Sequence, residues 1–329
     1  MITNNYYLIA DIGGTNSNFE LIEIIKKKNS KKKTSKKLWK ENYKTNEIEN
    51  FIDFINKLLN KFIEEKKILV ENAILAVAGL IENGEVKFSN HKLKINQKEL
   101  IKKTALKKVE LINDFYALAH SIFKLKKEGI KEIKIIKKQN SKRKLIVGPG
   151  TGLGVAFITK KEEVIETEGG HLKFPIINKE ELKLIEFLKK KRNLELISFE
   201  EILSGRGLEN LYQYLIKTNK KYINLPKKLT AKEISKSKSK NLASKETFAL
   251  FYKYLGRFLK NISLLFLTDE IYLAGGIIQK NIIFQKKEFL KEFQNNPKFK
   301  EYLNSISIKI IKDYNSSILG IKSYIERKE

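Results

Sequence analysis

The chain has 329 residues, 42% hydrophobic and 32% charged, enough for two domains that each bury a core. It has no cysteine, which excludes a disulfide framework, a thiolate-ligated metal centre and a thiol nucleophile, and fits a reducing compartment. The formal net charge is +28, yet only five of the 66 basic residues are Arg (Arg143, Arg192, Arg206, Arg257, Arg327) and Lys is spread along the whole length. A nucleic-acid surface concentrates charge on one face and favours Arg, so no specific nucleic-acid partner is expected.

In chain order, residues 6–25 (YYLIADIGGTNSNFELIEII) read as strand, glycine turn and strand. Segment 26–37 carries eight Lys in twelve residues and is expected as a solvated hairpin tip, after which LWKENYKT resumes a strand. Ile48, Phe51, Ile52, Ile55, Leu58, Leu59 and Phe62 have the spacing of an amphipathic helix over 47–66. A buried strand is expected at 73–78. It begins the longest apolar run, Ala73 to Ile81, half of the roughly 18–20 residues that a membrane span requires. The opening MITNNYYLIADIGG lacks the basic-then-apolar order of a signal peptide, so the expectation is a cytoplasmic protein with no membrane partner.

Another strand is expected near 85–88, then a helix over 115–125 with Phe115, Leu118, Ala119, Ile122 and Phe123 on one face. Two strands flank the turn at 148–154. Farther on, Thr230 and Glu233 form a capping-box pattern, and SKSKSKNLAS is expected to be exposed. Phe248, Phe251, Tyr252, Leu255, Phe258, Leu259, Ile262 and Leu265 make a long helical stripe running into IYLAGGII, a strand whose glycine pair opens a helix. Strands interleaved with helices indicate the α/β class.

Four motifs carry chemistry. Asp11-Ile-Gly13-Gly14-Thr15-Asn16 and Gly148-Pro-Gly150-Thr151-Gly152-Leu-Gly154 each sit between two strands, where glycine lets backbone N–H groups approach an anion. Neither is a Walker A loop or a dinucleotide fingerprint. In Leu111-Ile-Asn113-Asp114-Phe115, Asp114 reads as the N-cap of the following helix; a carboxylate so placed could also accept a proton from an attacking hydroxyl. In Glu166-Thr-Glu168-Gly169-Gly170-His171, Glu168 and His171 are placed to meet a polyhydroxylated ligand, with too few ligands for a metal site. In Ser198-Phe-Glu200-Glu201-Ile-Leu-Ser204-Gly205-Arg-Gly207, the Glu pair is expected one turn into a helix that the glycines interrupt.

Taken in order, DIGGTN, AVAGLIENGEVKFSNHKL, LINDFYALA, GPGTGLGVA, EGGH, ISFEEILSGRGL and IYLAGGI resemble bacterial-type glucokinase over about residues 6–325. That family is an ATP-dependent hexose kinase of the actin, Hsp70 and hexokinase superfamily. The resemblance implies an α/β, two-domain actin-like ATPase (hexokinase-type, RNase H-like) fold with an interdomain cleft. A small domain would span 1–112 plus a returning helix in 314–329, and a large one 113–313. It implies that Gly13, Gly14, Thr15 and Asn16 hold ATP phosphates, with Asp11 facing the Mg2+ carried by ATP through water and no directly ligated metal. Gly150, Thr151 and Gly152 would form the second phosphate turn, and Gly275 and Gly276 would lie under adenosine. Asn90, Asn113, Asp114, Glu168, His171 and Glu200 would bind glucose, with Asp114 as catalytic base toward O6, and the expected assembly is a homodimer.

Three positions depart from the family pattern: Asn18 stands where Arg is usual, Arg206 turns SGPGL into SGRGL, and Ser317 replaces a glycine. They bear on turnover and ATP affinity. Two rivals are weaker. Sugar kinases of the ROK family share the DIGGT turn, but many carry a Cys-rich zinc motif that this chain lacks, and they lack the SFEEILSG type of segment. A sugar-sensing regulator often carries a helix-turn-helix before the kinase fold, which is not expected where the first strand starts by about Tyr6.

Overall fold

The computed structural model describes residues 5–26, 33–88, 93–136, 142–281, 286–313 and 316–328. By packing, the chain divides into two compact units, Met1–Lys126 with Asp313–Glu329, and Lys127–Lys312. The sequence expectation put the boundary at 112/113, one helix earlier.

In the first unit, β1 (Asn5–Ile12) and β2 (Asn16–Lys26) form an antiparallel hairpin around the DIGGTN turn, and β3 (Lys33–Lys44) continues the meander. Strand therefore occupies both ends of the expected Lys-rich tip, because residues 33–37 pair with 22–26; residues 27–32 lie outside the described set. Helix α1 (Phe51–Lys66) starts at an Asn50 cap, so Ile48 precedes it. Next come β4 (Asn72–Val77), a small sheet of β5 (Leu80–Glu82), β6 (Glu85–Lys87) and β7 (Ile95–Asn96), helix α2 (Gln97–Lys103) and β8 (Lys108–Asn113). The main sheet has the order β3-β2-β1-β4-β8, with β1, β4 and β8 parallel.

Period-two alternation sends neighbouring residues to opposite faces of this sheet. Leu8, Ala10 and Ile12 pack with Phe51, Ile55, Leu58 and Phe62 of α1, whereas Ile9, Ile74 and Ile112 pack the other way. That second face is covered by α3 (Asp114–Ser121) and by the last helix, α11 (Ser316–Arg327), through Ala117, Ile318, Ile321 and Ile325. The packing of α3 on α11 is why residues 113–126 group with the first unit. Helix α3 is shorter than expected, ending at Ser121 in a tight turn closed by Ser121 Oγ donating to Leu118 O.

The second unit opens with β9 (Ile130–Lys134), then β10 (Lys144–Pro149), β11 (Leu153–Ile158) and β12 (Val164–Thr167). Helices α4 (Lys179–Arg192), α5 (Gly205–Thr218), α6 (Ala231–Ser237) and α7 (Leu242–Phe266) follow. Strand β13 (Glu270–Leu273), helices α8 (Gly276–Lys280), α9 (Lys286–Phe293) and α10 (Lys300–Asn304), and β14 (Ser307–Ile311) complete it. The sheet order is β12-β11-β10-β13-β14-β9. Its first five strands repeat the plan of the first unit: an antiparallel meander of three, then two strands parallel to the meander's first. In both units the glycine turn joins the first two strands of the meander, β1 to β2 and β10 to β11.

The α7 stripe is buried from Phe248 to Ile262, and the capping box at Thr230 and Glu233 is present. SKSKSKNLAS is less exposed than expected. Ala243 and Ser244 already belong to α7 and are fully buried, with Ser244 Oγ 2.9 Å from Ser237 Oγ. Inside this unit Arg257 of α7 binds Glu181 of α4 at 2.8 and 2.9 Å and Glu292 of α9 at 2.9 Å, all three side chains nearly sealed from water. Burial alone would raise the Glu181 carboxyl, but hydrogen bonds from Arg257 and from Ile177 N hold it below the ordinary range.

Candidate active site

In the first unit the DIGGTN turn is closed by Gly13 N donating to Asn16 O at 3.1 Å. Thr45, just past β3, pins it from outside. Its hydroxyl donates to Gly13 O at 2.7 Å, its N–H to Thr15 O at 3.0 Å, and Ser17 Oγ lies 2.9 Å from its Oγ1. Nothing in the sequence pattern singles out Thr45; a lone Thr ending a polar strand is an ordinary feature. Gly14, Thr15 and Asn16 remain exposed, leaving the outer rim of the turn open to a ligand.

Asp11 is the penultimate residue of β1, beside this turn. Burial pushes its carboxyl up to about 6, against hydrogen bonds from the Ser317 hydroxyl and the Asn18 amide that favour the ionised form. Two of the three departures from the family pattern thus meet on one carboxyl. Asp11 faces Asn18 directly in the β1–β2 register.

Asn113 and Asp114 stand at the same edge of this sheet. The register aligns Ile12 with Val77 and Val77 with Asn113, so the NDF segment lies two strand spacings, about 10 Å, from the end of β1. Carboxyl ends of parallel strands are where open α/β sheets bind ligands. The helix cap, however, is Asn113 and not Asp114: Asn113 Oδ1 accepts Phe115 N at 2.8 Å and Tyr116 N at 3.1 Å. Capping occupies the Asn113 oxygen, so the donor its side chain can offer a ligand is the amide nitrogen. Asp114, released from capping, is the first residue of α3 and half-buried, with Oδ1 2.9 Å from Phe115 N. The expected glucose ligand Asn90 lies outside the described residues.

In the second unit four motifs interlock. The GPGTGLG turn is closed by Gly150 N donating to Gly152 O at 2.8 Å, and Gly205 N donates to Gly150 O at 2.8 Å. Glu200 grips the same turn: its Oε2 accepts Leu153 N at 3.0 Å. Its own N–H donates to Gly170 O at 3.0 Å, which ties it to the EGGH segment. Gly170 must be glycine because a Cβ there would lie 2.0 Å from Leu153 O. His171 Nε2 then lies 3.8 Å from Glu168 Oε2 and 4.0 Å from Glu200 Oε2, so Glu168, His171 and Glu200 form one polar cluster. Glu168 and His171 are exposed, while the Glu200 side chain is mostly covered.

Glu200 sits in a turn ahead of α5 and not within a helix; Ile202 N and Leu203 N close that turn by donating to Phe199 O. Gly205 opens α5 under a Ser204 cap instead of interrupting a helix; Ser204 Oγ accepts Gly207 N at 3.1 Å. The Gly275-Gly276 pair opens α8 with Gly275 at φ 88°, a left-handed value that favours glycine, and a Cβ at Gly275 would lie 2.4 Å from Pro149 O. Gly150, Thr151, Gly152, Gly275 and Gly276 therefore share the carboxyl-end edge of β10 and β13. Among the described residues no group of three or more His, Asp or Glu is arranged to hold a metal, and no helix is long and apolar enough to cross a membrane.

The chain matches known proteins along nearly its whole length. A glucokinase from Shigella sonnei (strain Ss046) is 30% identical over 329 residues, covering 98% of this chain and 97% of that one. The solved glucokinase of Balamuthia mandrillaris, in complex with glucose, superposes with a TM-score of 0.81 at 22% identity over 99% of this chain and 94% of that one. A glucokinase from an Antarctic psychrotroph superposes at 0.77 with 23% identity, over 98% and 99% of the two chains. These two likenesses carry the fold: mixed α/β, with two mixed sheets of the actin-like kinase type. A family model described as glucokinase matches residues 8–328, and with 30% identity to a full-length relative the chain belongs to the glucokinase family, kinases that transfer phosphate to glucose.

Proposed function

We propose that the chain transfers the γ-phosphoryl group of ATP to O6 of glucose, with Asp114 as general base. O6 bonds to the γ-phosphorus as that phosphorus parts from the bridging oxygen; the O6 proton passes to Asp114 and ADP leaves. Such a transfer asks for alignment and charge stabilisation more than for covalent help from the protein. The turns at 13–16 and 150–152 would each hold ATP phosphates through backbone N–H groups, Gly275 and Gly276 would lie under adenosine, and Asp11 would face, through water, the Mg2+ that ATP carries. Asn113 donates to a sugar hydroxyl with its amide nitrogen, the oxygen being taken by the helix cap. Glu168, His171 and Glu200 receive the hydroxyls near the anomeric end, and an epimer leaves one of these partners, the mostly covered Glu200 at greatest cost, unpaired.

The observation that carries this reading is the double bracing of Glu200, by Gly170 O on its backbone and Leu153 N on its carboxylate. A sugar-facing carboxylate is thereby built into the same turn that offers backbone N–H groups to phosphate. We place the enzyme in the cytoplasm as a homodimer, with the two packing units as its two domains. A coupled ADP-release assay across a hexose panel, with ATP and polyphosphate as donors, tests the proposal. Glucose with ATP is the expected pair; turnover confined to another hexose or donor contradicts it.

A further inference from the structure

An alternating chain of charges runs through the second unit beside the cluster just described. Arg192 Nε donates to Glu201 Oε2 at 3.1 Å, and Arg206 Nη2 donates to Glu201 Oε1 at 2.7 Å. The same Nη2 reaches Glu200 Oε1 at 3.2 Å. Glu201 is a fixed post: its side chain is 9% exposed and Asn210 Nδ2 holds its carbonyl at 2.9 Å. Arg206 itself rides on the first turn of α5, whose leading residue is bonded to Gly150 O.

From this geometry we propose that Arg206 is a positioning residue for glucose: it clamps the Glu200 carboxylate to Glu201 so that Glu200 meets the sugar in one orientation. The inference rests on Glu200 being a glucose ligand. A carboxylate held only by Leu153 N on Oε2 can still swing about its last torsion; a second, charge-assisted bond on Oε1 removes that freedom. Each oxygen keeps one lone pair for a sugar hydroxyl, since each has spent only one on the protein. Paying the ordering entropy in the folded protein leaves less to be lost when glucose binds. The clamp fixes the carboxylate directly and reaches the phosphate turn only through Leu153 N, so its effect on glucose is expected to exceed its effect on ATP.

The test compares steady-state kinetics, and calorimetric glucose binding without nucleotide, for Arg206→Met, Arg206→Lys, Glu200→Gln and the Arg206→Met/Glu200→Gln double variant. Arg206→Met is expected to raise the glucose KM about tenfold, the size of one lost charge-assisted bond, with the ATP KM within about twofold. Arg206→Lys recovers part of the loss, and the double variant is no worse than Glu200→Gln alone. Should Arg206→Met fail to fold, Arg206→Gln, which keeps a donor, carries the same expectation at smaller size. An unchanged glucose KM, equal rises for both substrates, or additive losses in the double variant would overturn the proposal while leaving Glu200 in its role. Unchanged glucose binding in Glu200→Gln would overturn both.

Discussion

Asn18 faces Asp11 across the β1–β2 ladder and donates its side-chain amide to the Asp11 carboxyl, while the Ser317 hydroxyl donates from α11. Even with both donors, burial keeps the group near 6, above its ordinary 3.8. A carboxyl whose folded value is raised contributes stability fully only below 3.8 and loses it as pH rises through about 6. Above that the ionised group costs about 3 kcal/mol. Asp11→Asn is therefore expected to raise the melting temperature at pH 7.5, by an amount that shrinks toward zero near pH 4, while impairing turnover. Scanning fluorimetry across that range checks it; a pH-independent shift in melting temperature contradicts it.

His120 supplies the opposite slope. It is buried on α3 among the rings of Tyr116, Phe123 and Tyr324, and neither ring nitrogen has a hydrogen-bond partner among the described residues. Burial, with a smaller contribution from the Arg327 charge, pushes it down to about 4. The neutral imidazole thus supports the fold above its ordinary 6.5, and that support is lost as pH falls toward 4, about 2 kcal/mol by pH 5. In the Asp11→Asn background, where the opposing carboxyl is gone, His120→Phe should flatten the loss of melting temperature between pH 7 and pH 5. An unchanged acid limb would remove His120 as its source.

Gly152 lies against Glu200 so closely that a Cβ there would fall 2.6 Å from Oε2. Gly152→Ala must displace the carboxylate that accepts Leu153 N, and the backbone at this position requires no left-handed angle. The expected result is a glucose KM raised about tenfold with a melting temperature near that of the parent protein. Equal glucose affinity in the two proteins, measured calorimetrically, would show that Glu200 does not touch the sugar.

Much of this arrangement is legible before any coordinates. The α1 stripe and the α7 stripe follow from their 3.6-residue spacing, and the hairpins at 13–16 and 150–152 from glycines between apolar runs. What stays hidden is whatever depends on partners distant in sequence. Asn113 and Asp114 are equally good caps on paper, and only the backbone geometry hands the cap to Asn113. Gly205 and Gly207 read as breakers, yet Ser204 ahead of them makes them the first turn of α5. Arg257 lies 76 positions from Glu181 and 35 from Glu292, and the three carry no shared motif; only the packing of α4, α7 and α9 brings them together. Thr45 gains its grip on the turn only because β3 returns beside β2.

The most direct test of the central claim is Asp114→Ala, with turnover and glucose binding measured on the same preparation. Loss of a general base lowers kcat by at least about a hundredfold. Glucose should still bind, with weakened affinity, through the groups that Asp114 does not supply. Near-native turnover in the variant would contradict Asp114 as the proton acceptor and with it the proposed course of the transfer.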